Sequence, residues 1–341
     1  MTTMKIGSRA PKSARAKTGK GPGRTRLRPD IQGLRAFAVI VVISDHLLRW
    51  PSGGFIGVDI FLVTSGFVIT ASLLREHDKT GHISFTGFCK RRIKRIMPAS
   101  TLTLTATVIA AYFLFGPGRF LSTVSDSLWA LFFSANWHFA AAGTDYFQAA
   151  GPVSPVQHFW SLSVEEQFYF VWPWLLLGIF ALMAKAGRAG SSKTVAGVCV
   201  FLVCAASFSW AMHESATAPT TAYFSTFTRT WELGVGALLA VLAPLALRIP
   251  SGIRPFLAWV GIAGMVASLF LISNSSVFPA PSGVLPVISA ALFILAGTGA
   301  SEHRGITPFT NPASRYLGDI SYSVPLAFPC DYLRGIPVSG A

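Results

Sequence analysis

Charge is scarce in this chain, and negative charge scarcest. Of 341 residues only 12% are charged, and 14 acids face 28 Lys and Arg. Soluble domains carry about 25% charged residues, so a soluble globular protein is excluded. A 52% hydrophobic composition and a mean hydropathy of +0.53 place the chain in a membrane. Period-two alternation is also missing, which excludes a membrane β-barrel and leaves helices. Cysteines number four (Cys89, Cys199, Cys204 and Cys330), with no CxxC or metal-ligand spacing. They read as free thiols, with neither a disulfide nor a zinc site expected. No internal repeat is evident. A cleavable signal peptide is lacking too, because the first apolar segment carries Arg35 and outruns an h-region; it reads as a signal-anchor.

The net charge of +14 does not imply nucleic acid. Residues 1–28 hold nine Lys or Arg and no acid, and with their Gly and Pro they read as a disordered basic tail. The other cations cluster between apolar runs at about 31–49, 55–75, 100–116, 127–142, 159–184, 195–213, 231–247, 256–273 and 284–300, with a weaker run from 316. This is the positive-inside pattern, with a secondary attraction to anionic lipid. It predicts a cytoplasmic N-terminus, cytoplasmic basic stretches at Arg75–Arg95 and Lys185–Lys193, and outward stretches at 116–126, 143–158, 214–228 and 274–283. The two internal basic stretches must be separated by an even number of crossings, yet three apolar segments lie between them. Residues 127–142, short and carrying Asn136, Trp137 and His138, are therefore expected to be re-entrant or interfacial. The expected fold is an all-α polytopic membrane bundle of about nine to ten segments, one of them re-entrant.

Within the first segment, Arg35 and His46 stand eleven residues apart. That is three helical turns and roughly 16 Å of rise, so they share a face. Arg at the centre of a spanning helix costs roughly 2.5–3.5 kcal/mol. One end of the pair is a permanent cation and the other a base that exchanges protons near neutrality. Equally, Arg35 could snorkel to one interface while His46 caps the other. Asp59, on the next apolar helix, could orient a base, balance Arg35 or form a structural ion pair; Gly57 and Gly66 suit close packing. Arg92 and Arg95, three apart, could present guanidiniums to phosphate from one helix face, or serve only to fix topology. Glu165 and Glu166 are adjacent carboxylates at a membrane boundary, about 100° apart on a helix, with His158 at the outer end. Arg229 and Glu232 are spaced to pair with each other or to line a polar cavity.

Together these blocks resemble the acyltransferase-3 family of integral membrane O-acyltransferases. The resemblance rests on Arg-Pro-Asp-Ile-Gln-Gly-Leu-Arg at 28–35 with His46, on Gly-Gly-Phe-Ile-Gly-Val-Asp-Ile-Phe at 53–61 and on Ser-Gly-Phe-Val-Ile-Thr at 65–70. It continues in Arg-Arg-Ile-Lys-Arg-Ile-Met-Pro at 91–98, His-Phe-Trp-Ser-Leu-Ser-Val-Glu-Glu-Gln-Phe-Tyr at 158–169, Thr-Arg-Thr-Trp-Glu-Leu at 228–233 and Leu-Gly-Asp-Ile-Ser-Tyr-Ser at 317–323. It implies a membrane domain over 29–323, located in a bacterial inner membrane. The implied activity is transfer of an acyl group, commonly acetyl, from cytoplasmic acyl-CoA to a hydroxyl of an extracytoplasmic glycan or lipid-linked sugar. Acyl-CoA is then a co-substrate, with no bound cofactor or metal expected. The family's Arg-x10-His pair maps onto Arg35 and His46, and its Arg-x-x-Arg pattern, with a proposed donor role, onto Arg92 and Arg95.

On this reading His46 is general base to the acceptor or itself carries the acyl group. Asp45 or Asp59 would orient it, and Arg35 would stabilise charge on the donor side. Glu165, Glu166, Arg229 and Glu232 would line a polar cavity, and His158 would face the acceptor. The end of the chain departs from the family. Residues 324–341 carry Pro325, Pro329 and Asp331 where the family completes a helix, so a truncated, inactive member is one alternative. No room is expected there for the esterase-like domain that some members carry. A glycan-precursor transporter is the other alternative.

Overall fold

A bilayer offers no water to unpaired backbone, so a spanning segment must close its own hydrogen bonds. In the computed structural model every regular element among the described residues is accordingly helical. It describes residues 28–144, 146, 153–299 and 306–321. The expectations for the basic tail before Arg28, for Cys330 and for 324–341 lie outside these residues. In chain order the elements are α1 (Pro29–Leu48), a 3-10 turn (Gly54–Ile56), α2 (Gly57–Thr80), α3 (Phe85–Leu114), α4 (Pro117–Leu131) and α5 (Ala135–Ala141). There follow α6 (Phe159–Lys185), a 3-10 turn (Ala189–Ser191), α7 (Ser192–Thr217), α8 (Pro219–Phe224), α9 (Thr226–Val241) and α10 (Ala243–Ala246). The last are α11 (Arg254–Leu271), α12 (Val284–Gly297), α13 (Thr307–Thr310) and α14 (Pro312–Ile320). The chain is a polytopic helical membrane protein. Six helices, α1, α2, α3, α6, α7 and α11, are long and apolar enough to cross a membrane; α12 is as apolar but has 14 residues. The 16 residues of α9 include buried Arg229 and Glu232.

The stretch expected as a basic loop, Arg75–Arg95, is mostly helix. Only Gly81–Ser84 separate α2 from α3, so Arg92 and Arg95 stand on the first turns of α3. Lys and Arg are good helix formers and need no loop. Ser84 starts α3 by accepting the Gly87 N–H at 3.2 Å.

The apolar run at 127–142 breaks in two. The end of α4 and all of α5 flank Phe133, whose φ is +53°. His138 of α5 stacks on Trp129 of α4 and bonds Asp126 at 2.8 Å, closing a short hairpin. Its freed backbone finds partners in protein. Gln167 of α6 donates to the Phe133 carbonyl (2.8 Å) and to Asn136 Oδ1 (2.9 Å). It accepts from Trp137 Nε1 (3.1 Å) and Thr226 Oγ1 (2.6 Å). Asn136, fully buried, donates to the Phe224 carbonyl at 3.1 Å. Polar backbone at membrane depth needs such partners.

The packing of α2 on α9 is backbone-close. A Cβ at Gly66 would overlap the Leu233 carbonyl, and one at Gly236 would overlap that of Val63. Glycine at both crossings lets small-residue surfaces meet, and this contact brings Asp59 to Arg229. Gly57 plays the same part against Ala38 of α1.

The two ends of the bundle differ in charge. At the His46 end, the Gly53 N–H donates to the Leu269 carbonyl (3.0 Å), Phe55 meets Phe278 edge-on, and Tyr223 lies against Phe278 and Tyr146. Described residues of the cation-poor stretches, Tyr146, Tyr223 and Phe278 among them, thus gather around α1's C-terminus. At the opposite end Lys193 pairs with Asp78 (2.8 Å) and Arg91 with Glu76 (3.0 Å).

Candidate active site

His46 sits in the last turn of α1, half-buried. Its Nδ1 lies 2.8 Å from the Val42 carbonyl, one turn back on the same helix. A carbonyl oxygen can only accept, so Nδ1 carries the hydrogen and Nε2 the lone pair. Nε2 in turn lies 3.3 Å from the Tyr146 hydroxyl. This is a basic nitrogen with a fixed direction. The group that bonds Nδ1 in the structure is a backbone carbonyl and not Asp45 or Asp59. Asp45 stands beside Gly54, in the 3-10 turn ahead of α2.

Asp59 is held elsewhere. Arg229 Nη1 donates to Asp59 Oδ1 and Glu232 Oε1, each at 3.0 Å, and all three side chains are fully buried. Arg229 Nε donates to the Tyr223 carbonyl at 3.1 Å. The same guanidinium lies over the rings of Tyr223 (4.8 Å), Phe278 (4.8 Å) and Trp160 (5.2 Å). Asp59 therefore balances Arg229 and not Arg35. Two acids on one cation leave the cluster short of positive charge, and the aromatic faces around Arg229 favour keeping that cation in place.

Arg35, 2% exposed, lies over Phe61 of α2 at 5.3 Å. One turn further along α2, Ser65 donates to Glu165 of α6. Glu165 also accepts the hydroxyl of Tyr169, one turn along its own helix. Arg92 reaches over the Tyr169 ring at 4.6 Å. Arg92, Tyr169, Glu165 and Ser65 thus form a continuous polar line from α3 through α6 to the face of α2 that meets Arg35. Arg95, one turn on along α3, is exposed, whereas Arg92 is half-buried. Glu165 is buried and Glu166 half-buried.

His158, just ahead of α6, neighbours His46, but both its ring nitrogens are sealed from solvent and hold no hydrogen bond among the described residues. Burial first, and the charge of His46 second, push its pKa down to about 3. It is a neutral wall residue. The residue as a whole is half-buried.

The chain matches, over residues 28–327, the family model described as an acyltransferase domain, Acyl_transf_3. It belongs to the acyltransferase-3 family. Among curated proteins it is similar to the peptidoglycan O-acetyltransferase OatA of Listeria monocytogenes, 33% identical over 303 residues, 87% of this chain and 48% of that protein. It is also similar to YrhL of Bacillus subtilis, provisionally named a peptidoglycan O-acetyltransferase, 33% identical over 310 residues, 88% of this chain and 48% of that one. A Staphylococcus aureus protein provisionally named an O-acetyltransferase, SAS0844, is 31% identical over 308 residues, with 88% and 50% covered. The chain spans about half the length of the curated relatives it matches. No solved structure matches.

In this acyltransferase-3 chain the site includes residues that sequence reasoning passed over. Tyr146, Ser65, Tyr169, Tyr223 and Gln167 carry contacts made across helices. Tyr169 and Gln167 gave a signal as part of the block at 158–169, and Ser65 as the first residue of the block at 65–70. Tyr146 is one aromatic in a loop, and nothing in its neighbourhood of sequence marks it.

Proposed function

We propose that this chain is the membrane part of an O-acyltransferase that moves an acyl group, acetyl by likeness to its relatives, from cytoplasmic acyl-CoA to a hydroxyl of an extracytoplasmic glycan. The named relatives make peptidoglycan the favoured glycan. The observation that carries the reading is α1 itself. It presents Nε2 of His46 as a directed base at its half-buried end and buries Arg35 three turns away. His46 takes the proton of the attacking hydroxyl, or attacks the acyl carbon itself. The buried guanidinium of Arg35 stabilises negative charge on the donor side. Arg92, at the start of α3 among other cations, contacts the donor's phosphates.

The segregation of charge supports a cytoplasmic N-terminus and an outward His46, in an inner membrane. The α4–α5 hairpin supports a re-entrant segment there. Accessibility tags at 116 and 146 are then both read from outside, and tags read from opposite sides overturn that topology. The reaction is tested by incubating membranes containing the chain with radiolabelled acetyl-CoA and following label into the envelope glycan. Label is expected with the native chain and not with His46→Ala. Equal label with both removes His46 from the mechanism.

A further inference from the structure

The direction of His46 Nε2 fixes where an acceptor hydroxyl must arrive, and that place is taken. The Tyr146 hydroxyl lies 3.3 Å from Nε2, and Nδ1 is tied to Val42, so the phenol is the donor to the lone pair. The Tyr146 ring lies flat on Tyr223, with centroids 4.4 Å apart and planes at 21°, and edge-on to Trp160 and Phe224. Tyr223, Trp160 and Phe224 are all buried, while Tyr146 is half-buried. The one part-exposed member of this group is the one that covers the base.

We infer that Tyr146 occupies the acceptor subsite: its hydroxyl holds the place of an acceptor hydroxyl, and its ring holds the place of a sugar ring on Tyr223. The inference rests on the acyltransferase reading above. When the Tyr146 side chain turns away, a sugar hydroxyl donates to Nε2 in its place. The apolar C–H face of the sugar then lies on the Tyr223 ring. Two buried acids, Asp59 and Glu232, face the single cation Arg229 beneath, so the subsite selects a neutral, hydroxyl-rich ring over an anion. In the transfer step the acceptor's O–H breaks and its proton goes to Nε2. The acceptor oxygen bonds the acyl carbon, and the carbon–sulfur bond of the thioester breaks, releasing the CoA thiolate. If His46 carries the acyl group, Nε2 first displaces the CoA thiolate from the acyl carbon; the acceptor oxygen then displaces Nε2, which takes up the acceptor's proton as its bond to carbon breaks.

Two readouts test this on the full chain in membranes. Diethylpyrocarbonate modifies an imidazole through its free nitrogen, and mass spectrometry locates the adduct at His46. Tyr146→Phe keeps the ring and removes the donor. It should speed modification of His46 about fivefold, the effect of freeing a nitrogen from one ordinary hydrogen bond. Tyr146→Ala opens the ring's place as well. Chitopentaose, an N-acetylglucosamine oligomer, should protect His46 in that variant and, as acceptor, show a lowered KM. Unchanged modification in Tyr146→Phe, or absence of protection or an unlowered KM in Tyr146→Ala, overturns the inference. A native chain that transfers no label defeats the acyltransferase reading itself, and the modification arm still reports on the Tyr146 contact.

Discussion

The two ends of α1 are built differently. At its start, Arg28 pairs with Asp30 at 2.5 Å and donates to the Ile294 carbonyl (3.1 Å) and Thr298 Oγ1 (2.8 Å) at the end of α12. Arg254 donates to the carbonyls of Ala296, Thr298 and Ala246. Gln32 bonds Asp319 of α14 at 2.5 Å, and a Cβ at Gly33 would overlap the Phe309 carbonyl of α13. At its other end Leu47, Leu48 and Trp50 are exposed and His46 is half-buried. The first half is bolted by cations donating to helix-terminal carbonyls, a favourable arrangement at a C-terminus. The second half keeps a reactive side chain within reach. Arg35 belongs to the bolted half. Rigidity is concentrated where a permanent charge must be held, and openness where a substrate must enter.

Substitutions at the two ends should separate these roles. His46→Ala should lower transfer by about 10²–10⁴-fold, the usual range for a general base, with the amount of protein in the membrane unchanged. A parallel loss of protein would put His46 in the scaffold instead. Arg229→Met should cost about 3–5 kcal/mol, because two buried acids lose their cation. Thermal unfolding in detergent measures it, and a variant as stable as the native chain removes the triad from the scaffold. Arg28→Met should cost about 1–3 kcal/mol through the uncapped α12 carbonyls and the abandoned Asp30. Its transfer rate at low temperature should stay close to native.

His158 sharpens the comparison by pH. Its folded-state pKa of about 3 lies below the ordinary 6.5, so between those values the unfolded chain binds the extra proton. Its contribution to stability is complete above pH 6.5 and is lost as pH falls, by about 1.4 kcal/mol per unit. His158→Gln should flatten the fall in unfolding temperature between pH 7 and 5. An identical fall in both proteins would show that the imidazole takes up its proton freely in the fold. The smallest effect is expected at Arg95, which is exposed. Arg95→Ala should raise the KM for acyl-CoA less than Arg92→Ala, and the reverse order would move the donor contact outward along α3.

Much of this architecture could be read from the chain. Apolar run length gave the helices, and the parity of basic stretches singled out 127–142, which the structure breaks at Phe133 into a polar-bonded hairpin. The Arg229–Glu232 spacing gave one of the triad's two bonds, because an i, i+3 pair is local. The bond to Asp59 joins residues 170 apart and depends on two glycines letting α2 and α9 touch, which no spacing rule encodes. Lys90–Arg95 looked like a loop because charge suggests water, yet a helix can leave the membrane without ending. Tyr146 and the Val42 carbonyl left no trace in sequence. One is a single aromatic and the other is backbone; the backbone atom aims the base and the aromatic covers it.

The bond from His46 to Val42 has a consequence for how acceptor preference can change. The tautomer and aim of the imidazole are set within one turn of a single helix, by an atom that every residue type supplies. No loop has to be in place for the base to be correct. The segments 49–56 and 272–283, and Tyr146 with them, are therefore free to diverge as acceptors differ, without retuning the nitrogen beside them.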